Sequence, residues 1–91
     1  MQKPDEKKPD NKLSVKIRTT QGTWATDFPK TTKVEEVIKA VIQHFGFAPN
    51  GQYELRLERE PNTPMKPERP LVSYGVKDGD VLIFTDLGIA V

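Results

Sequence analysis

The strongest constraint on the fold of this 91-residue chain is an amphipathic stretch that ends at Phe45. Its apolar residues recur at intervals of three and four, which predicts one buried face of an α-helix. The members of this stripe are Val34, Val37, Ile38, Val41, Ile42 and Phe45. Thr32 and Glu35 have the spacing of a capping box, and Gly46 followed by Phe47 is typical of a left-handed helix ending.

Strands are predicted on both sides of this helix. Residues 13–18 and 23–28 form a hairpin that turns at Gly22, since apolar and polar residues alternate in the first run and the second is rich in β-formers. Residues 53–57 alternate in the same way, and the apolar run 81–84 suits a central strand. With the first and last strands paired in parallel, the sequence predicts an α+β fold. Its mixed sheet has four to five strands, with one helix packed across it.

The chain divides into three segments. Residues 1–12 alternate Lys with Asp or Glu around two prolines, and we expect a disordered tail there because little apolar surface is available for burial. Residues 13–86 contain every patterned segment and form one domain. Residues 87–91 are expected to be a flexible C-terminal tail.

The composition argues against most kinds of chemistry. Without cysteine and with one histidine, the chain offers no thiolate nucleophile and no histidine metal cluster. Its 14 basic and 13 acidic residues lack the excess charge of a nucleic-acid protein, and no apolar run is long enough to span a membrane. No secretory signal, catalytic triad or phosphate loop is present. We therefore expect a cytoplasmic monomer that binds other proteins, with no enzymatic activity, no catalytic residue, no metal and no cofactor.

Several segments resemble the ubiquitin family. Residues 33–37 look like the start of ubiquitin's helix, and residues 45–49 are similar to its Gly-apolar-Pro exit. Residues 71–76 resemble the Leu-x-x-Tyr-x-(Ile/Val) signature, in which the hydroxyl of the tyrosine, here Tyr74, ties down a loop. Residues 53–56 and 74–79 resemble the signature of small bacterial ubiquitin-like proteins. This resemblance implies the β-grasp fold and a protein modifier of a bacterial ubiquitin-like system, with E1-like and deubiquitinase-like enzymes as partners.

The C-terminus departs from the ubiquitin pattern. A modifier ends in Gly-Gly because its activated carboxylate must thread a narrow enzyme channel, where a Cβ atom would clash. Ala90 and Val91 stand in that place here. Conjugation would need cleavage after Gly88 or a wider channel. The candidate residues for conjugation or processing are Leu87, Gly88, Ile89, Ala90 and Val91.

The predicted partner-binding face also differs from ubiquitin's apolar isoleucine patch. The third strand directs Glu54, Arg56 and Glu58 outward, and a reader of ubiquitin's patch would bury these charges unpaired. Leu82 or Phe84 of the last strand could add an apolar spot to this face or belong to the core.

Two classes of function stay open at this point. One is a ubiquitin-like modifier or an interaction module derived from one. The other is a non-covalent docking subunit of a larger machine, such as a secretion system or a multicomponent oxygenase. A sulfur carrier is disfavoured by the missing Gly-Gly. Prolines at every third position between Pro61 and Pro70 could dock a partner or rigidify a loop, and Trp24 could pack internally or at an interface.

Overall fold

The computed structural model describes residues 12–89, which form five strands, one α-helix and one short 3-10 helix. In chain order the elements are β1 (Lys12–Thr19), β2 (Gly22–Pro29), α1 (Val34–Phe45), β3 (Gly51–Leu57), β4 (Glu60–Pro64), the 3-10 helix (Leu71–Tyr74) and β5 (Val81–Ile89).

The strands form one mixed sheet in the order β2-β1-β5-β3-β4. The central pair, β1 and β5, is parallel, and the other three pairs are antiparallel. The helix packs across one face of the sheet. The predicted α+β fold of the ubiquitin-like β-grasp class is therefore confirmed.

The core lies between α1 and the inner face of the sheet. Ile17 and Leu82, opposite each other in the parallel pair, are both fully buried and mark its centre. The buried apolar residues are Leu13, Val15, Ile17, Val34, Val37, Val41, Leu55, Leu57, Met65, Leu71, Val76, Leu82 and Phe84. The other three members of the predicted helix stripe are partly buried against this cluster, so the stripe is confirmed as the face that α1 buries.

The two ends of α1 compare differently with the sequence expectation. Gly46 adopts the predicted left-handed conformation (φ 78°), and its N–H donates to the Ile42 carbonyl at 2.8 Å. The predicted capping box is wrong, because Lys33 occupies the N-cap position and no side chain caps the helix. Instead, the Val34 N–H donates to the carbonyl of Arg69 at 2.9 Å. Backbone from a distant loop thus satisfies donors that a side chain satisfies in most helices.

The proline-rich segment after β3 is partly a strand. Pro61 and Pro64 lie in β4, an exposed edge strand, where a residue without an N–H is tolerated. Met65 is buried, and the N–H of Lys66 donates to the Tyr74 hydroxyl at 2.6 Å. This is the tyrosine contact that the resemblance to ubiquitin implied.

The ends of the domain differ from the expected boundaries. Lys12, assigned to the predicted tail, is the first residue of β1, while residues 1–11 lie outside the described residues. β5 extends three residues into the segment expected to be a flexible tail, because Gly88 and Ile89 pair with Gln52 and Gly51 of β3. Residues 90 and 91 lie outside the described residues.

Candidate protein-binding face of the sheet

The outer face of the sheet, opposite α1, centres on Ile83 of β5. The register places Arg18 of β1 on one side of Ile83 and Arg56 of β3 on the other. Ile83 is half-buried, whereas the residues before and after it, Leu82 and Phe84, point to the core. The centre of this face is thus an aliphatic side chain between two arginines.

Each of these arginines is paired with a glutamate. Arg18 Nη1 lies 2.6 Å from Glu58 Oε2, and these side chains are 54% and 45% exposed. Arg56 binds Glu54 Oε2 at 2.6 Å, and its Nη1 donates to the carbonyl of Pro61 at 2.6 Å. The Arg56–Glu54 pair is the less exposed of the two, at 33% and 19%. The outer-face cluster, defined here as Ile83 with these two ion pairs, is therefore electrically balanced.

The structure brings together three of the five residues predicted for the partner-binding face. Glu54, Arg56 and Glu58 lie on the outer face, as expected. The placement of Leu82 and Phe84 on that face is wrong, since they are only 0% and 3% exposed and belong to the core. Side chains of successive strand residues point to opposite faces, so a shift of one residue exchanges the whole set.

Arg18 and Ile83 are the members of the cluster that sequence reasoning missed. The apolar run Val81–Phe84 gives no alternation from which its outward positions could be assigned. The alternation in β1 did carry a signal, because Arg18 follows the buried Ile17. Pairing Arg18 with Glu58, however, needs the register of three strands, which no single segment contains.

Arg59 anchors the loops beside this face and was also missed by sequence reasoning. Its guanidinium donates to both carboxylate oxygens of Asp80, at 3.2 and 3.0 Å, and to the carbonyl of Gly75 at 2.8 Å. The hydrogen bond from Arg59 lowers the pKa of the Asp80 carboxyl below its usual value, with a further contribution from the Lys77 N–H. The same contact raises the pKa of Arg59. Asp80 therefore links the turn before β5 to the end of β3.

The predicted conjugation residues lie mostly within the sheet. Leu87 forms a bulge opposite the junction of Gln52 and Tyr53, and its side chain is 54% exposed. Gly88 has a φ of 97°, and its N–H donates to Asp86 Oδ1 at 2.8 Å. Ile89 ends β5. Gly88, the only glycine of residues 87–91, is thus paired with β3 and has a positive φ, so it does not lie in an unpaired segment.

Residues 12–89 contain neither a metal site nor a membrane-spanning helix. No three His, Asp or Glu side chains in this range lie close enough together to hold a metal ion. The helices in the same range are all too short to cross a membrane.

A family model described as "WXG100 protein secretion system (Wss), protein YukD" matches residues 13–84. The chain belongs to the YukD family. YukD is a ubiquitin-like family, so the predicted membership in the ubiquitin superfamily is confirmed, and no catalytic family is indicated. No curated protein matches the chain.

Solved structures support the fold of this YukD-family chain. A de novo design based on ubiquitin is 23% identical, with a TM-score of 0.74, covering 90% of this chain and 96% of the design. A chain of a crystallised pParkin–pUb–UbcH7 complex is 14% identical, with a TM-score of 0.73. That match covers 85% of this chain and 23% of the other. At these identities the likeness shows the ubiquitin-like fold alone.

Proposed function

We propose that this YukD-family chain is a non-covalent docking subunit of a WXG100 protein secretion system. The observation that carries the proposal is the family match over residues 13–84, which covers nearly the whole folded domain. The fold supplies a five-stranded sheet, and no group of three His, Asp or Glu side chains among residues 12–89 could hold a metal ion. Binding, rather than conversion, is the activity that such a molecule supports.

The course of the C-terminal segment favours this role over that of a modifier. A conjugated carboxylate must extend away from the domain into an enzyme channel. Here backbone pairing with β3 continues to Ile89. Peeling this strand from β3 would break hydrogen bonds that a free tail does not have. The pairing of β5 with β3 therefore argues for a non-covalent partner.

The outer-face cluster supplies the docking surface in this proposal. Interfaces favour arginine and an apolar centre, and Ile83 flanked by Arg18 and Arg56 has both. Because each arginine already has a glutamate partner, docking would bury paired rather than isolated charges. The expected partner carries an aliphatic side chain at its centre. Around it, acidic groups face the two arginines and basic groups face the two glutamates.

Site-specific photocrosslinking in the cell that encodes the protein tests the surface. A photoreactive amino acid at position 83 should form a crosslink to a component of the secretion system. The same amino acid at Lys39, an exposed position on α1, is the matched control and should give none. Crosslinks from position 39 alone, or products consisting of many unrelated proteins, would contradict the proposed face.

A charge exchange separates binding from folding. Arg18→Glu or Glu58→Arg alone should reduce both secretion of the WXG100 substrate and capture of the partner, because each places like charges at the 2.6 Å contact. The double exchange restores the intramolecular pair, so its thermal stability should recover. If the partner reads these charges, capture should remain weak in the double variant. Recovery of capture together with stability would show that the pair has only a structural role.

Intact mass spectrometry separates docking from modification. The proposal expects the cellular protein to be recovered as the free chain with no covalent adduct. Discovery of the chain joined through its C-terminus to a lysine of another protein would overturn it.

A further inference from the structure

Within the described range 12–89, the outer edge of β2 has backbone groups without a strand partner. Lys16 of β1 donates its N–H to the Asp80 carbonyl at 3.0 Å, toward β5. In an antiparallel pair, directly opposed residues either bond each other or point apart, so Ala25, opposite Lys16, directs its N–H and C=O away from β1. By the same alternation, Thr23 and Asp27 also point outward. Three N–H and three C=O groups therefore line this edge.

The two edges of the sheet are protected to different degrees. β4 has five residues, two of which are Pro61 and Pro64, and prolines cannot donate to an added strand. β2 has eight residues, and its single proline, Pro29, is the last of them. The side chains of Thr23 and Ala25 are small and would not obstruct a strand added at the edge of β2. Of these two edges, β2 is therefore the one that can pair with an added strand.

We propose that β2 pairs antiparallel with β2 of a second copy, about a twofold axis through Ala25. In this register Ala25 faces Ala25, and Thr23 of each copy faces Asp27 of the other. All the outward N–H and C=O groups of the three residues are then bonded, and the sheets join into one. The Thr23 hydroxyl can donate to the Asp27 carboxylate, whose Oδ1 already accepts from Ser14 at 2.7 Å.

Other registers satisfy fewer groups. A shift toward the C-terminal end of β2 brings in Pro29, which has no N–H and whose carbonyl already accepts from Thr32 at 3.0 Å. A twofold axis at Asp27 would also oppose two carboxylates. A shift the other way brings in Gln21, whose N–H already donates to the Thr19 hydroxyl at 2.9 Å. The register on Ala25 is the one in which all three outward residues find a partner.

The inner side of the same edge also fits a second copy. Trp24 and Phe28 are half-buried, with ring centroids 6.3 Å apart, and Trp24 stacks on His44 at 4.0 Å. In the proposed register Trp24 faces Thr26 of the other copy, a pairing of aromatic with β-branched residue that stabilises sheets. The pairing would cover ring surface that the single chain leaves exposed. The proposed dimer differs from the monomer expected from the sequence.

Sedimentation equilibrium of the full native chain, compared with that of an Ala25→Pro variant, tests whether the edge of β2 pairs with a second copy. Among residues 12–89 the Ala25 N–H has no partner, so proline should leave the circular dichroism spectrum unchanged. It removes the central donor of both copies, and the dimer dissociation constant should rise about tenfold or more. A native chain that is monomeric over the full accessible concentration range, or a dimer indifferent to Ala25→Pro, would overturn the proposal. A native chain that is monomeric and loses binding of another protein on Ala25→Pro would also overturn the proposal. The edge would then pair with a strand of that protein instead.

Matched charge variants test the register. Thr23→Lys places an ammonium against Asp27 of the other copy twice per dimer and should tighten association about fivefold. Thr23→Glu places like charges at the same two positions and should weaken it by a similar factor. Equal effects of the two variants would rule out this register.

Cysteine substitution gives a geometric readout, since the native chain has no cysteine. Facing residues of a hydrogen-bonded pair have Cα atoms about 5.5 Å apart, within disulfide range. Ala25→Cys should therefore form a disulfide dimer on mild oxidation. Thr23→Cys is the control and should not, because its partner position is Asp27. Crosslinking that is equally fast for both variants would indicate random collision.

Discussion

The Arg59 guanidinium and the Asp80 carboxylate form a bidentate contact of 3.2 and 3.0 Å between the end of β3 and the turn before β5. Asp80 also accepts from the Lys77 N–H at 2.8 Å, and its side chain is 16% exposed. The contact therefore fixes the border of the outer-face cluster next to Glu58. It supports the proposed docking surface without belonging to it.

Replacing Asp80 by Asn should reduce the acid sensitivity of the fold. Because the folded-state pKa of Asp80 lies below the ordinary 3.8, its carboxylate adds stability that is present above that value. This contribution disappears as the pH falls through the folded-state pKa. Asp80→Asn should lower the free energy of unfolding at neutral pH by about 1 kcal/mol and flatten its fall below pH 3.8, measured by urea denaturation. Glu68→Gln, on an exposed loop residue, is the control. A parallel pH dependence of native and Asp80→Asn chains would contradict the assigned linkage.

Truncating Leu82 and Ile83 tests which residue of β5 faces the core. Leu82→Ala leaves a cavity at a fully buried site and should lower the free energy of unfolding by about 2–5 kcal/mol. Ile83→Ala lies on the half-buried outer face and should lower it by about 1 kcal/mol or less. Chemical denaturation of the two variants measures the difference. A reversed order of the two values would mean that β5 has the opposite face toward α1.

Removing the Tyr74 hydroxyl tests the loop contact implied by the resemblance to ubiquitin. Tyr74→Phe leaves the N–H of Lys66 without the acceptor that it has at 2.6 Å. The free energy of unfolding should fall by about 1 kcal/mol, because the lost hydrogen bond is partly replaced by water at this exposed position. Amide exchange at Lys66 should accelerate in the same variant. Unchanged exchange there would indicate that the N–H is protected by something else.

Adding a methyl group at Gly51 should disturb the start of β3. A Cβ atom there would lie 2.6 Å from the Tyr53 hydroxyl oxygen, which now donates to the Ala48 carbonyl at 2.7 Å. Gly51→Ala should therefore lower the free energy of unfolding by about 1–3 kcal/mol. In a Tyr53→Leu background the obstructing ring is absent, and the same substitution should have a smaller effect. Equal effects in both backgrounds, compared in a double-mutant cycle, would contradict the steric explanation.

What the sequence predicted well was what local patterns determine. The stripe of α1, the left-handed Gly46 and the alternation in β1 and β3 each follow from spacing within one segment, and together they were enough for the fold. The outward side of β5 was not predictable because residues 81–84 are all apolar, so periodicity carries no phase there.

Contacts between distant segments account for the rest. Arg59 meets Asp80 and Arg18 meets Glu58 only after the sheet has assembled. Neither arginine stands out in the sequence by spacing or composition. The capping box failed for the same reason. A loop brought close by tertiary packing reached the helix donors, and no side chain caps them. Candidate surface sites on small folds depend on such long-range pairs.

The carbonyls of Pro67 and Arg69 accept from the first N–H groups of α1, at Glu35 and Val34 respectively. The first turn of the helix and the segment that follows β4 are consequently one cooperative unit, although more than 30 positions separate them in the chain. Whenever that segment detaches, the helix start loses its acceptors and should exchange its amide protons with solvent at the same rate. Local opening of the helix start is thereby coupled to detachment of a segment that is distant in sequence. In an isolated α1 peptide the first turn should fray, whereas in the intact protein it should not.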